Sequence, residues 1–104
     1  MNPAELLAEM RTLLAEAYGP RLRGVVLYGS EARGESRPDS DIDILVLLSG
    51  PIRLWEDIKA ALGALYPLSL RLDRPISPKP VDIRHYETAA SPLYRRAQAE
   101  GLRA

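Results

Sequence analysis

Gly29-Ser30-Glu31-Ala32-Arg33-Gly34-Glu35-Ser36-Arg37-Pro38-Asp39-Ser40-Asp41-Ile42-Asp43 is the stretch that decides the fold of this chain. A Gly-Ser pair is followed, after ten intervening residues, by Asp-x-Asp. Val25 to Tyr28 precede it, a short β-branched and aromatic run that predicts a buried strand. Gly29-Ser30 ends that strand. Glu31-Ala32-Arg33 can make one helical turn before Gly34. Glu35 to Ser40 is polar and contains Pro38, which predicts a loop. Asp41 to Leu48 predicts a second strand, apolar enough at its far end to be central in a sheet.

Working outward, the N-terminal side reads as a helix. Asn2 can cap it, Pro3 suits the first helical position, and Glu5 sits where a capping-box acid belongs. Leu6, Met10, Leu13 and Ala17 recur at helical spacing, so a helix is expected from about residue 3 to 17, ended by Gly19-Pro20. On the C-terminal side, Ser49-Gly50-Pro51 breaks the chain. Trp55, Ile58, Leu62 and Leu65 predict a helix over 52–65 with Trp55 in its buried stripe, and Pro67 closes it. Leu68 to Leu72 alternates Leu with Ser and Arg, the pattern of an edge strand. Asp73 to Pro80 holds three prolines and is expected to be a loop. Val81 to Tyr86 is the third predicted strand, and a last helix starts at Ser91-Pro92 and ends at Gly101. The expected fold is α/β, a small mixed sheet flanked by helices, in a single domain over 1–104.

Bulk properties exclude several classes. At 104 residues, 46% hydrophobic and 27% charged, the chain suits one globular core. It has no cysteine, so disulfides and thiolate metal sites are excluded. No segment approaches the roughly 18 apolar residues of a membrane span. No basic segment followed by an apolar one marks a signal peptide, so the cytoplasm is expected. The formal net charge of zero argues against reliance on non-specific nucleic-acid binding.

The chemistry lies in the carboxylates and the turn. Side chains alternate faces along a strand, so Asp41 and Asp43 point the same way, with Cα atoms roughly 6–7 Å apart. Two ionised carboxylates this close repel unless a cation sits between them. Mg²⁺ fits, because it binds through one or two carboxylates plus substrate phosphates. In Val81-Asp82-Ile83 the flanking residues face the core, so Asp82 is expected to turn the other way. If its strand pairs beside the second, Asp82 joins Asp41 and Asp43 on one surface. Three acids there would allow a two-metal site. Glycine lets the backbone approach a phosphate, and if residues 30–34 start a helix its first amides would face it. The Ser30 hydroxyl adds a donor, and Arg33 matches phosphate oxygens bidentately. Gly29-Ser30 is not a P-loop, since no Gly-Lys-Ser/Thr follows. His85, the one histidine, is read as a surface residue.

The Gly29-Ser30, Arg33-Gly34, Ser40-Asp41 and Asp43 pattern resembles the minimal nucleotidyltransferase family, a branch of the DNA polymerase beta superfamily. Asp82 in Val-Asp-Ile and the closing Ser91-Pro92-Leu93-Tyr94-Arg95-Arg96 with Glu100-Gly101 extend the likeness over nearly the whole chain. The resemblance implies a polymerase beta-like fold and transfer of an NMP, AMP above all, from ATP to a hydroxyl with Mg²⁺. It implies catalytic and metal-binding roles for Asp41, Asp43 and Asp82, and nucleotide binding by Gly29, Ser30, Arg33 and Ser40. It further implies the antitoxin half of a toxin-antitoxin pair, one that adds AMP to (AMPylates) a tyrosine of a helical HEPN toxin. The motif does not name the acceptor. A non-catalytic antitoxin that neutralises its partner by binding is the alternative. A small molecule or RNA end as acceptor is disfavoured by the neutral charge and the absence of a second domain, so nucleic acid is not the expected main acceptor. Homo-oligomers are left open.

Overall fold

The structure, a computed structural model, describes residues 1–104. It opens with helix α1 (Pro3–Tyr18). The expected capping box is present: the Asn2 side chain accepts from Glu5 N (2.8 Å) and Glu5 accepts from Asn2 N (3.1 Å). A 3-10 turn (Gly19–Arg21) leads into β1 (Leu22–Tyr28). The short helix α2 (Ser30–Arg33) follows, then β2 (Ile42–Leu48), α3 (Leu54–Leu72) and β3 (Ile76–Asp82). Helices α4 (Ile83–Glu87) and α5 (Pro92–Glu100) and a two-residue strand β4 (Leu102–Arg103) complete the chain.

The sheet order is β3-β2-β1-β4. β1 runs antiparallel to β2 and β4, and β2 runs parallel to β3. Strand β2 is central and buried on both faces, as its unbroken apolar run requires. Ile42, Ile44, Val46 and Leu48 meet Leu6, Met10 and Leu14 of α1 and Ala61, Leu65 and Leu68 of α3. Leu45 and Leu47 face the other way, with Val26, Val81, Ile83, Tyr86 and Ala97. The sheet thus separates α1 and α3 from α4 and α5. This is the expected small mixed sheet flanked by helices.

Three expectations are corrected. Helix α3 does not stop at Pro67 but runs through it to Leu72, and no strand forms over 68–72. Burial of Leu65 (2% exposed) and Leu68 (0%) outweighs the hydrogen bond that proline cannot donate. Residues 76–80 are strand rather than loop, and 83–87 are helix rather than strand. Pro78 and Pro80 are tolerated because β3 is an edge strand. Ile42 N donates to Pro75 O (2.9 Å), which turns the odd-numbered residues of β3 toward β2 and both prolines toward the open edge. Trp55 is not core: it is 73% exposed, with Leu62, Tyr66 and Leu70 beside it on the outer side of α3. The helical period was legible, but α3 is apolar on two sides, and Ala61, Leu65 and Leu68 form the side that packs.

Candidate functional site

The end of β1 and the start of β2 lie side by side, with Tyr28 opposite Asp43. Between them the chain turns at Gly29, whose φ of 75° is the left-handed backbone that only glycine adopts cheaply. A Cβ at Gly29 would lie 3.5 Å from Asp43 Oδ2, so the carboxylate sits directly over the turn. Ser30 opens α2, whose first amides have no intrahelical acceptor. Gly34, at φ 72°, ends it.

Asp41 is exposed just ahead of β2, and Asp43 is half-buried within it. Burial pushes the Asp43 carboxyl above its ordinary range, and the neighbouring Asp41 charge pushes it further. Tyr28 is raised likewise, by burial first and then by Asp43. Two like charges therefore lie close together here, with the Asp43 carboxylate the one that burial and Asp41 disfavour. A raised acid pKa costs folding stability once the group ionises; that cost is complete above the raised value and vanishes below the ordinary carboxylate range. Asp43→Asn is expected to raise the thermal midpoint at neutral pH and to lose that advantage in acid. Scanning calorimetry of both proteins across pH checks it; a variant less stable than wild type at neutral pH would contradict the repulsion.

The donor set fits a hard cation. Two carboxylates stand on alternate positions at the start of β2, and neither forms an ion pair with a basic side chain; the nearest cation to act on them is the Arg74 guanidinium, which feels the Asp41 charge. No third acid joins them. The expected convergence of Asp82 with Asp41 and Asp43 is corrected by the register. Asp43 pairs with Ser77 across the parallel strands, whereas Asp82 pairs with Leu48, five residues along β2. That is roughly 16 Å at a strand's rise per residue, and an odd offset puts Asp82 on the opposite face. There it caps α4, accepting from Arg84 N (2.9 Å), pairs with the Arg84 guanidinium (3.0 Å), and packs against Gly50. On the Asp43 face, β3 presents Ser77 and Lys79 instead.

Arg33 borders a cleft of about 260 Å³ next to Gly29, lined also by Tyr28, Leu93, Arg96 and Glu100. Its guanidinium rests on Glu35 (3.1 Å) and Glu100 (3.7 Å). Exposed pairs of this kind hold weakly, so Arg33 is free to exchange them for a phosphate. Ser40 is committed elsewhere: its hydroxyl accepts from Arg37 N (3.2 Å) and Arg74 Nη2 (3.2 Å) and donates to Arg37 O (2.8 Å). Sequence reasoning missed Glu31 and Arg74, which form a buried ion pair (2.8 Å) beneath the site. No local signal marks either residue; an acid in a short helix and an arginine 43 positions later become partners only through the fold. A wider hollow of about 390 Å³, around Arg21, Ser49 and Asp57, lies near Gly50 at the far end of the sheet, away from the acid pair.

A glycine turn, an Asp-x-Asp strand beside it and a mixed sheet between helix layers define a class. The chain belongs to the nucleotidyltransferase domain family, whose model matches residues 7–99. Among individual relatives it resembles a "putative protein adenylyltransferase" of Methanocaldococcus jannaschii, with 38% identity over 47 residues. That match covers 45% of this chain, and the chain spans about half the length of that relative (47%). Two solved structures share the fold. One is a toxin-antitoxin with AMP-PNP (TM-score 0.63, 23% identity, 92% of this chain and 69% of that one). The other is a doubly substituted MntA-HpeT toxin-antitoxin (TM-score 0.61, 19% identity, 99% and 71%). No helix of this chain is long and apolar enough to cross a membrane.

Proposed function

We propose that this chain is a Mg²⁺-dependent protein adenylyltransferase that acts in the cytoplasm as an antitoxin, moving AMP from ATP to a hydroxyl of a HEPN-type toxin. The observation that carries this is the Asp41–Asp43 pair, two like charges side by side with the Asp43 carboxylate set over the Gly29 turn. Family membership, the adenylyltransferase relative and the AMP-PNP toxin-antitoxin neighbour support it.

The residues divide the work. Gly29 admits the triphosphate to the amides of α2, and the Ser30 hydroxyl adds a donor. Arg33 leaves its surface acids to neutralise phosphate oxygens. Asp41 and Asp43 would hold the magnesium, which when bound supplies charge neutralisation at the phosphates. The acceptor oxygen attacks the α-phosphorus, the bond to the bridging oxygen breaks, and pyrophosphate leaves while the hydroxyl proton passes to solvent. With Asp82 outside the site, two carboxylates suffice for one cation shared with the substrate.

The experiment uses α-labelled ATP, this protein and a candidate helical toxin, to be sought in the adjacent reading frame. Transfer of label and a partner mass increased by AMP units are expected. The binding-only alternative gains from one observation, the Ser77 and Lys79 found where a third acid was expected. It predicts rescue from the toxin with the partner's mass unchanged.

Asp82→Asn separates the two assignments of that residue. Transfer is expected at the wild-type rate, because asparagine caps a helix as well as aspartate does. The effect should instead fall on stability. The Arg84 guanidinium first, and the Arg84 N–H second, hold the Asp82 carboxyl down to about 2. Its contribution is present above the ordinary value near ~4 and is lost as pH falls through the depressed one. Urea midpoints of the two proteins should therefore converge in strong acid. A collapse of transfer in this variant would return Asp82 to the site.

A further inference from the structure

Asp43 is held by the sheet through its pairing with Tyr28, but Asp41 lies outside β2 and has no ladder to fix it. Its two neighbours are fixed instead, both by the segment Arg74-Pro75. Ile42 N donates to Pro75 O (2.9 Å). Ser40 O accepts from Arg74 Nε (2.9 Å), and Ser40 Oγ accepts from Arg74 Nη2 (3.2 Å). The same guanidinium forks onto Glu31 in α2, with Nη1–Oε1 at 3.1 Å and Nη2–Oε2 at 2.8 Å. Both side chains are largely withdrawn from solvent, Arg74 at 13% exposure and Glu31 at 10%. Arg74 is itself anchored to the end of α3: its N donates to Ser69 O (3.2 Å) and its O accepts from Ser69 Oγ (2.6 Å).

We propose that Arg74 is the positioning residue of this site, a planar cation that sets Asp41 against Asp43 and ties both to the Gly29-Ser30 turn. The proposal rests on the nucleotidyltransferase reading of the acid pair. Arg74 hydrogen-bonds neither Asp41 nor Asp43; it holds Ser40, the residue before Asp41, and acts through it. The role needs arginine, because a guanidinium serves two acceptor groups from one rigid plane, while an ammonium on a flexible stem does not hold both in register. The loop from Glu35 to Ser40 is tied to α2 at its start, where Glu35 N donates to Ser30 O (2.9 Å), and its far end near Asp41 has less support. Ser40 bonds only back to Arg37 within that loop, and Arg33–Glu35 is a surface pair.

The test measures Mn²⁺ alone, by calorimetric titration, on wild type, Asp41→Asn/Asp43→Asn, Arg74→Lys and Glu31→Gln/Arg74→Met. The last variant removes both charges together and so avoids stranding a buried carboxylate. Partners that orient metal ligands are worth about 10–100-fold in affinity, and a loss of that size is expected in both Arg74 variants. Amide exchange in residues 37–42 should quicken in the same variants. Arg21→Met, which removes the half-exposed partner of the buried Asp57, should lower the thermal midpoint and leave Mn²⁺ affinity unchanged. Folded Arg74 variants that bind Mn²⁺ as tightly as wild type would overturn the proposal alone. Wild type that binds no more tightly than the double asparagine variant would overturn the transferase reading, and the proposal with it.

Discussion

Asparagine at both 41 and 43 is expected to end transfer of label from α-labelled ATP, leaving the protein folded. The fold should survive because neither carboxylate pairs with a basic group, and Asp43 is already pushed toward its neutral form by burial and by Asp41. Removing two like charges relieves that repulsion. The chemistry has no such tolerance. The proposed cation is held by these two side chains alone, since no third acid stands near. Loss of one preorganised charge-stabilising group costs on the order of 10²–10³-fold in rate, and here the whole set is removed. Initial rates with the proposed toxin partner as acceptor, set beside circular dichroism of the variant, give the comparison. Rescue of cells by this variant with an unmodified toxin would establish binding, rather than transfer, as the means of neutralisation.

The second large effect is a gain. Pro67→Ala should stabilise the protein by about 2 kcal/mol, since a helix-interior proline costs about 3 kcal/mol and its rigidity in the unfolded chain returns only about 0.4–1. Pro67 is exposed and lies between the buried Leu65 and Leu68, so the substitution touches no packing. In a chain of this size, 2 kcal/mol corresponds to a rise in thermal midpoint of roughly 8–16 °C. Differential scanning calorimetry reads it directly. An unchanged midpoint would mean that the α3 backbone has already absorbed the missing hydrogen bond at no cost.

The same proline explains much of what the sequence concealed. Pro67 reads locally as a helix stop, and the Leu68-to-Leu72 alternation reads locally as a strand. Only the sheet that Leu68 buries against decides otherwise. The misplacement of Asp82 has a related origin. A third strand beginning at Val81 would set Asp82 near the start of its strand, level with the acid pair. The strand begins five residues sooner, at Ile76, because Pro78 and Pro80 fall on alternate positions facing an open edge. Val81-Asp82-Ile83 looks the same in either register, so its own residues could not tell the two apart. The segment from Tyr28 to Val46 was legible for the opposite reason. Its residues act through local rules: positive φ at Gly29 and Gly34, a proline loop, and alternation along Asp41-Ile42-Asp43. Asn2-Pro3 and Ser91-Pro92 were legible likewise, as caps that need no distant partner. Glu31 and Arg74 were not, because an ion pair between separate segments has no signature within either.

The prolines of β3 also limit how this molecule can be joined. An added strand requires a row of outward amide donors, and at positions 78 and 80 that row is blank. β-augmentation along this border is therefore foreclosed, for a second copy and for any extended peptide alike. On this side of the sheet a partner can be received only through side chains, and the one strand edge left for backbone pairing is the short β4 at the opposite border.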